Sequence, residues 1–167
     1  MTEVRKSLYV ESTIPSYITG WDNKDVITLG KQMQTRKFWG NERHKYDLFT
    51  SQYVLDEIRN GDPEAARKRL DLVEGITTLP KTAETDELAA IYQKQLGIPD
   101  RAKLDCNHLA VCVLRHINYL LTWNCAHLGV MAQVKIHDYN REHGLWTPLL
   151  ATPDVLVPSI SLKEIMQ

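Results

Sequence analysis

The chain is poor in cysteine, with three in 167 residues. The count is odd and the spacing fits no disulfide framework, which argues against a small disulfide-stapled scaffold and for a reducing compartment. Long apolar runs are missing too. The longest clean one, Leu109 to Leu114, falls far short of the roughly 20 residues that span a bilayer. No apolar signal core follows the charged start at Met1 to Lys6. The expectation is a soluble, cytoplasmic protein without membrane association. There are no repeats, low-complexity tracts or long Gly/Ser/Pro linkers, so a single domain is expected over 1–167. An excess of charge is also absent. Twenty Lys and Arg face 21 Asp and Glu, which excludes a histone-like polycation but leaves room for a local basic groove. What is present suits a globular domain: 43% apolar and 25% charged residues. A chain of this length buries roughly 70% of its unfolded surface, so it needs neither disulfides nor metal to fold.

The patterning alternates between two periods. Leu8-Tyr9-Val10 reads as a strand ending at Glu11-Ser12-Thr13-Ile14-Pro15, where proline discourages pairing. Asp22 or Asn23 can cap a helix over about Asp25 to Lys45, weakened at Gly30 and Gly40. Asp47 to Ser51 reads as a strand, and Gln52 to Asn60 as a helix stopped by Gly61. Asp62-Pro63-Glu64 opens a helix to about Val73: a cap, a proline at the first position, and an acid at the positive end of the dipole. Ile76 to Leu79 is a short strand, and Thr82 caps a helix to Leu96. Ile98-Pro99-Asp100 opens a helix to about His116 whose middle is apolar all round, hence buried on several sides. Asn118 to Trp123 is a strand and Cys125 to Met131 a short helix. Asp138 to His143 reads as helical and Leu149 to Ala151 as a last strand. Strands alternating with helices predict an α/β fold with a mainly parallel sheet covered on both faces. In such sheets the ligand site lies beyond the carboxyl ends of the strands.

That rule directs attention to four residues. Glu11 ends the first strand and Asn124 follows the Asn118 to Trp123 strand, while Glu57 and Asp105 lie in helices. At about 100° per residue, Glu57 lies about 60° from Val54 and borders the inward face, while Asp56 points to solvent. Asp105, His108 and Cys112 share a face of the buried helix. Buried carboxylates are costly unless neutralised, and convergent ones raise each other's pKa unless a cation intervenes. An oxygen-rich acidic set suits Mg²⁺ or Mn²⁺ rather than Zn²⁺. Such clusters serve phosphodiester hydrolysis, where the ion activates water and offsets phosphate charge. Spacing alone leaves the plainer reading open, in which these are surface acids and caps.

Other features have competing readings. Cys106-x-His108 and Cys125-x-His127 hint at zinc, but residues two apart on a helix point about 200° from each other. His108 reads first as a packed, hydrogen-bonded histidine and second as a substrate contact, and Cys112 as a small buried hydrophobe. Arg36-Lys37, Arg43-His44-Lys45 and Arg67-Lys68-Arg69 read as solvated helix faces. The functional alternative is a phosphate-tracking rim in which Trp39 and Tyr46 stack bases. Arg101 and Lys103 are better placed for substrate, within one turn of Asp105.

Four segments together resemble a known family. They are Tyr9 to Tyr17; Ser51 to Ile58 with Gly61-Asp62-Pro63-Glu64; Asp105-Cys106-Asn107-His108-Leu109-Ala110; and Tyr119 to Cys125. In order and spacing they resemble the acidic motifs of PIN-domain proteins, and most of all the VapC-type toxins of bacterial type II toxin–antitoxin systems. The resemblance covers about 7–130 and leaves a C-terminal extension of about 131–167. It implies a three-layer α/β/α fold and an Mg²⁺- or Mn²⁺-dependent ribonuclease acting on RNA. It also implies a VapB-type antitoxin partner and a homodimer. Carried over, Glu11, Glu57 and Asp105 would be the acidic metal ligands, with Asn124 the fourth member. Thr13 would support the first acid and Thr122 the fourth. An apolar face within Val26 to Trp39 (Ile27, Met33, Phe38) would offer a groove to an antitoxin or second subunit, though core packing explains it as well.

The sequence departs from the family at positions 11 and 124, where Glu and Asn replace the usual acids. The site loses one negative charge, which weakens metal binding and favours one ion over two. Cys106-Asn107 also replaces the expected small apolar pair. Two alternatives follow. One is a catalytically degenerate module that binds RNA or protein; the other is a stand-alone RNA-processing nuclease.

Overall fold

The computed structural model describes residues 4–158, apart from the side chains of residues 125–128. Five strands form one sheet: β1 (Lys6–Val10), β2 (Tyr46–Ser51), β3 (Thr77–Leu79), β4 (Tyr119–Leu121) and β5 (Leu149–Ala151). Its order is β3-β2-β1-β4-β5 and every pairing is parallel. Strand order runs outward from β1 to β3, then restarts on the other side at β4. The reversal opens a crevice between the carboxyl ends of β1 and β4. Val10 pairs with Leu121, so the residues that follow each strand meet there.

Helices cover both faces: α1 (Thr13–Thr19), α2 (Val26–Asn41), α3 (Gln52–Ile58), α4 (Pro63–Val73), α5 (Ala83–Gln95), α6 (Lys103–Leu114), α7 (Cys125–Glu142) and α8 (Pro153–Leu156). The period-2 pleat sorts the core into two halves. Leu8, Val10 and Leu121 pack with Ile14 of α1 and with Phe38 and Trp39 of α2. Tyr9 and Leu120 face the opposite way, into Val54 of α3, Tyr92 of α5 and Leu109 of α6. Leu8 and Val10 are fully buried, and each such side chain stabilises the fold by about 1.5–3 kcal/mol. This is the expected three-layer α/β/α arrangement. No helix among the described residues is long and apolar enough to cross a membrane.

Several boundaries differ from the pattern-based expectation. Asp25, not Asp22 or Asn23, caps α2: its carboxylate accepts from the Thr28 amide at 2.9 Å. Asp22 instead pairs with Arg36, and the Asn23 side chain accepts from the Asp25 amide. The helix ends at Asn41, and Arg43–Lys45 is a separate 3₁₀ turn. A 3₁₀ turn, Asp100–Ala102, also precedes α6. The two helical pieces expected after β4 join into α7, broken at Gly129, where φ is 62° and ψ 157°.

Helix α1 is the element the pattern hides. The strand already ends at Val10, and Pro15 lies in the first turn of the helix that follows rather than at a strand end. Its N-cap, Ser12, makes no side-chain cap bond; the hydroxyl is directed to carboxylates instead.

Candidate active site

The crevice at the β1/β4 reversal gathers the site. Glu11 follows β1 and is 2% exposed. Its Oε2 accepts from the Thr13 hydroxyl (2.6 Å), the Thr13 amide (3.1 Å) and the Thr122 hydroxyl (2.8 Å). Its Oε1 accepts from the Ser12 hydroxyl at 2.6 Å. The same Ser12 hydroxyl lies 2.9 Å from Glu57 Oε2 and so bridges the two carboxylates. Hydrogen bonds of this kind hold a buried carboxylate that would otherwise be strongly disfavoured. Thr13 and Thr122 also tie the strand ends together. Thr13 Oγ1 accepts from the Trp123 amide and Thr122 Oγ1 from the Asn124 amide.

Glu57 reaches the crevice from α3, half-buried, and its Oε1 lies 2.6 Å from His108 Nε2. Asp56 points outward to Lys81 and Arg59, as the helix geometry requires. His108 is buried on α6, and its Nδ1 meets the Tyr9 hydroxyl at 2.7 Å. That hydroxyl meets Ser51 at 2.6 Å. His108 is held above its ordinary pKa. Burial, the largest single influence, pulls it down, but the Glu57 hydrogen bond and the charges of Glu11, Glu57 and Asp105 outweigh it. Burial raises the Tyr9 phenol well above its ordinary range, so it stays neutral.

Asp105, 9% exposed, arrives from the first turn of α6. Together with Glu11, His108, Thr122 and Asn124 it lines a cavity of about 10 Å³. That is room for one water-sized guest. One oxygen each from Glu11 and Glu57 and one nitrogen of His108 lie within 4.8 Å of one another. Of the four residues singled out in the sequence, Glu11, Asp105 and Asn124 line this cavity, while Glu57 joins Glu11 and His108 in the close group that does not include Asp105. Sequence reasoning missed Ser12, Tyr9 and Ser51, which connect them. The hydroxyl pair Ser12-Thr13 directly after the first acid was the available signal.

Other expectations separate. Arg101 and Lys103 are exposed at the start of α6. The three basic clusters are largely engaged. Arg36 binds the carbonyls of Ile18 and Gly20, Arg69 those of Ile58 and Asn60, and Arg67 pairs with Asp71. Trp39 is buried under Arg43, and Tyr46 packs between Phe38 and Tyr119, so neither ring is free to stack a base. Trp123 packs as expected: its indole donates to Thr35 and stacks near Tyr17. On α2, Ile27 and Met33 are exposed while Phe38 is fully buried, so the three do not form one stripe. Cys106 and Cys112 are buried thiols, and among the described residues neither joins a group of close potential metal ligands. The Cys125-x-His127 pair lies outside the described side chains.

No family model matches the chain, and no curated protein does. Among solved structures it is similar to Mycobacterium tuberculosis VapC20, a toxin that cleaves the sarcin–ricin loop. The TM-score is 0.53 at 15% identity, over 72% of this chain and 92% of that one. The fold is PIN/VapC-like. The likeness reaches the arrangement of elements; the chemistry must be argued from the residues.

Proposed function

We propose that the protein is an Mg²⁺- or Mn²⁺-dependent endoribonuclease of the VapC type. The observation that carries the reading is the meeting of Glu11, Glu57 and His108 within 4.8 Å, with Asp105 and Asn124 on the same cavity. Two carboxylates and an imidazole meet, with the Asp105 carboxylate on the adjoining cavity, where an open parallel sheet places its ligand site. The donor set fits a hard divalent ion: Glu11, Glu57 and Asp105 would hold it, and Asn124 would assist. When bound, the ion offsets phosphate charge and makes water acidic enough to react near neutral pH.

The chain's own residues do the rest. Thr13, Thr122 and Ser12 orient the carboxylates of Glu11 and Glu57, as outer partners of metal ligands do. His108 holds Glu57 from the core side. Arg101 and Lys103, exposed beside Asp105, are positioned to take a phosphate of the strand. Single-stranded or looped RNA suits the site, since unstacked strands present backbone and bases to it. A VapB-type antitoxin and a second copy of the chain belong to the same proposal.

The test is cleavage of RNA with Mg²⁺ or Mn²⁺ by the wild type and by Asp105→Asn. The expected loss in the variant is at least about 100-fold, more than removing a partner behind a metal ligand costs. Equal cleavage by both proteins would remove Asp105 from the site. One observation favours a second reading, a binding module without catalysis. Glu11 already accepts four hydrogen bonds, and Glu57 already has a histidine partner. Tight RNA binding with no cleavage under either ion supports that reading.

A further inference from the structure

A second groove lies between α5 and the two helices that carry Glu57 and Asp105, α3 and α6. It encloses about 530 Å³, within the roughly 300–1,000 Å³ range of ligand pockets. Its polar lining is Tyr53, Lys81, Asp86, Gln93, Lys103 and Asn107. It adjoins the acids along two elements. Tyr53 is one turn before Glu57 on α3, and Asn107 stands between Asp105 and His108 on α6. Two residues along a helix turn about 200°, so Asp105 faces the crevice while Asn107 faces the groove.

Asn107 is the informative residue. It is 9% exposed, yet its carboxamide makes no hydrogen bond to the protein among the described residues. Its oxygen and nitrogen are not among the buried side-chain atoms left without a partner, so the amide meets solvent in the groove and is open to a ligand. Its neighbours already have partners. The Tyr53 hydroxyl donates to Asp86, and Lys81 pairs with Asp56 while lying 4.9 Å over the Tyr53 ring. Lys103 is exposed at the groove's edge. The groove thus presents one unspent carboxamide, with two N–H donors and a carbonyl acceptor, and a cation at its mouth.

We propose that this groove takes a nucleotide of the RNA strand next to the scissile bond. Asn107 pairs with the polar edge of the base and Lys103 with the adjoining phosphate. A carboxamide offers donor and acceptor side by side, the pattern that reads a base edge. The inference rests on the nuclease reading and adds to it a residue that sets sequence preference.

The experiment is cleavage of a randomised oligoribonucleotide pool with Mn²⁺, with the cut ends sequenced, for wild type, Asn107→Ala and Lys103→Ala. Asn107→Ala should flatten base preference at one position beside the cut by about 5-fold or more, the discrimination of a good base contact. KM should rise while kcat is nearly kept. Lys103→Ala should raise KM alike for all sequences. The thermal midpoint of Asn107→Ala should stay close to that of the wild type, because the amide makes no hydrogen bond to another described residue. Unchanged preference and KM in both variants would overturn the proposal while leaving the nuclease intact. If the wild type cleaves nothing, the nuclease reading fails, and anisotropy with the same pool decides the groove. Weaker binding by both variants supports it, and unchanged binding overturns it. Loss of a co-expressed protein partner with RNA binding unchanged would assign the groove to that protein and overturn it too.

Discussion

At the scale of single residues, the site depends on hydroxyls as much as on acids. Ser12 spends its side chain on Glu11 and Glu57 and leaves the α1 cap unmade. A capping serine is usually worth about 1 kcal/mol, so local stability is given up for carboxylate geometry. Ser12→Ala should therefore lower stability by about 1–3 kcal/mol, because it takes a donor from a buried carboxylate, and weaken Mn²⁺ affinity about 10–100-fold, as loss of a partner behind a metal ligand does. Titration of Mn²⁺ against both proteins checks this, and equal affinities would show that Ser12 does not orient the ligands. His108 makes the complementary point. The sequence supported a packed histidine before a substrate contact, and its ring is packed between Tyr9 and Glu57. Its partners lie 99 and 51 residues away, so no local pattern could name them.

At the scale of elements, most of the succession could be read from punctuation. Asp62-Pro63 begins α4 and Thr82 caps α5, as their side chains imply. The misassigned cap of α2 is instructive, since Asp22, Asn23 and Asp25 are all competent by type. Arg36 draws Asp22 away, and the Gln32 side chain accepts from the Asn23 amide, which leaves Asp25 to meet Thr28. The Thr28 amide and hydroxyl hold the Asp25 carboxyl below its ordinary pKa. A lowered folded-state pKa gives stability that is present above the unfolded value, about 3.9. It is lost as pH falls through the lower folded value. Asp25→Ala should therefore lower the urea midpoint at pH 7, with the gap to wild type closing below about pH 4. A gap that stays constant to pH 3 would mean the cap's charge contributes nothing. Helix α7 shows a different limit. Its break at Gly129 needs a φ of 62° with an extended ψ, a conformation that side chains rarely tolerate. Nothing in the flanking sequence marks that glycine as a break rather than a weak helix residue.

At the scale of the whole molecule, a cation held in the acidic crevice would couple to folding. An ion that binds only the folded chain stabilises it by about 2.7 kcal/mol at one hundred times its dissociation constant. For a domain of this size that is roughly 5–10 °C in thermal midpoint. Millimolar Mn²⁺ should raise the midpoint of the wild type, EDTA should reverse the rise, and Asp105→Asn should lose most of it. A wild-type midpoint indifferent to both Mg²⁺ and Mn²⁺ would sink the metal site. Chain order and residue type were enough to establish an α/β fold, the inward lean of Glu57 against Asp56, and the four polar positions at strand ends and helix faces. Those follow from periodicity and from capping chemistry, which are local. Strand order was decided only in three dimensions, and with it the crevice between β1 and β4. Packing also turned Phe38 inward, engaged the basic clusters and left the Asn107 amide facing a groove. Each of these depends on contacts between residues far apart in the chain, and no short window of sequence contains both partners.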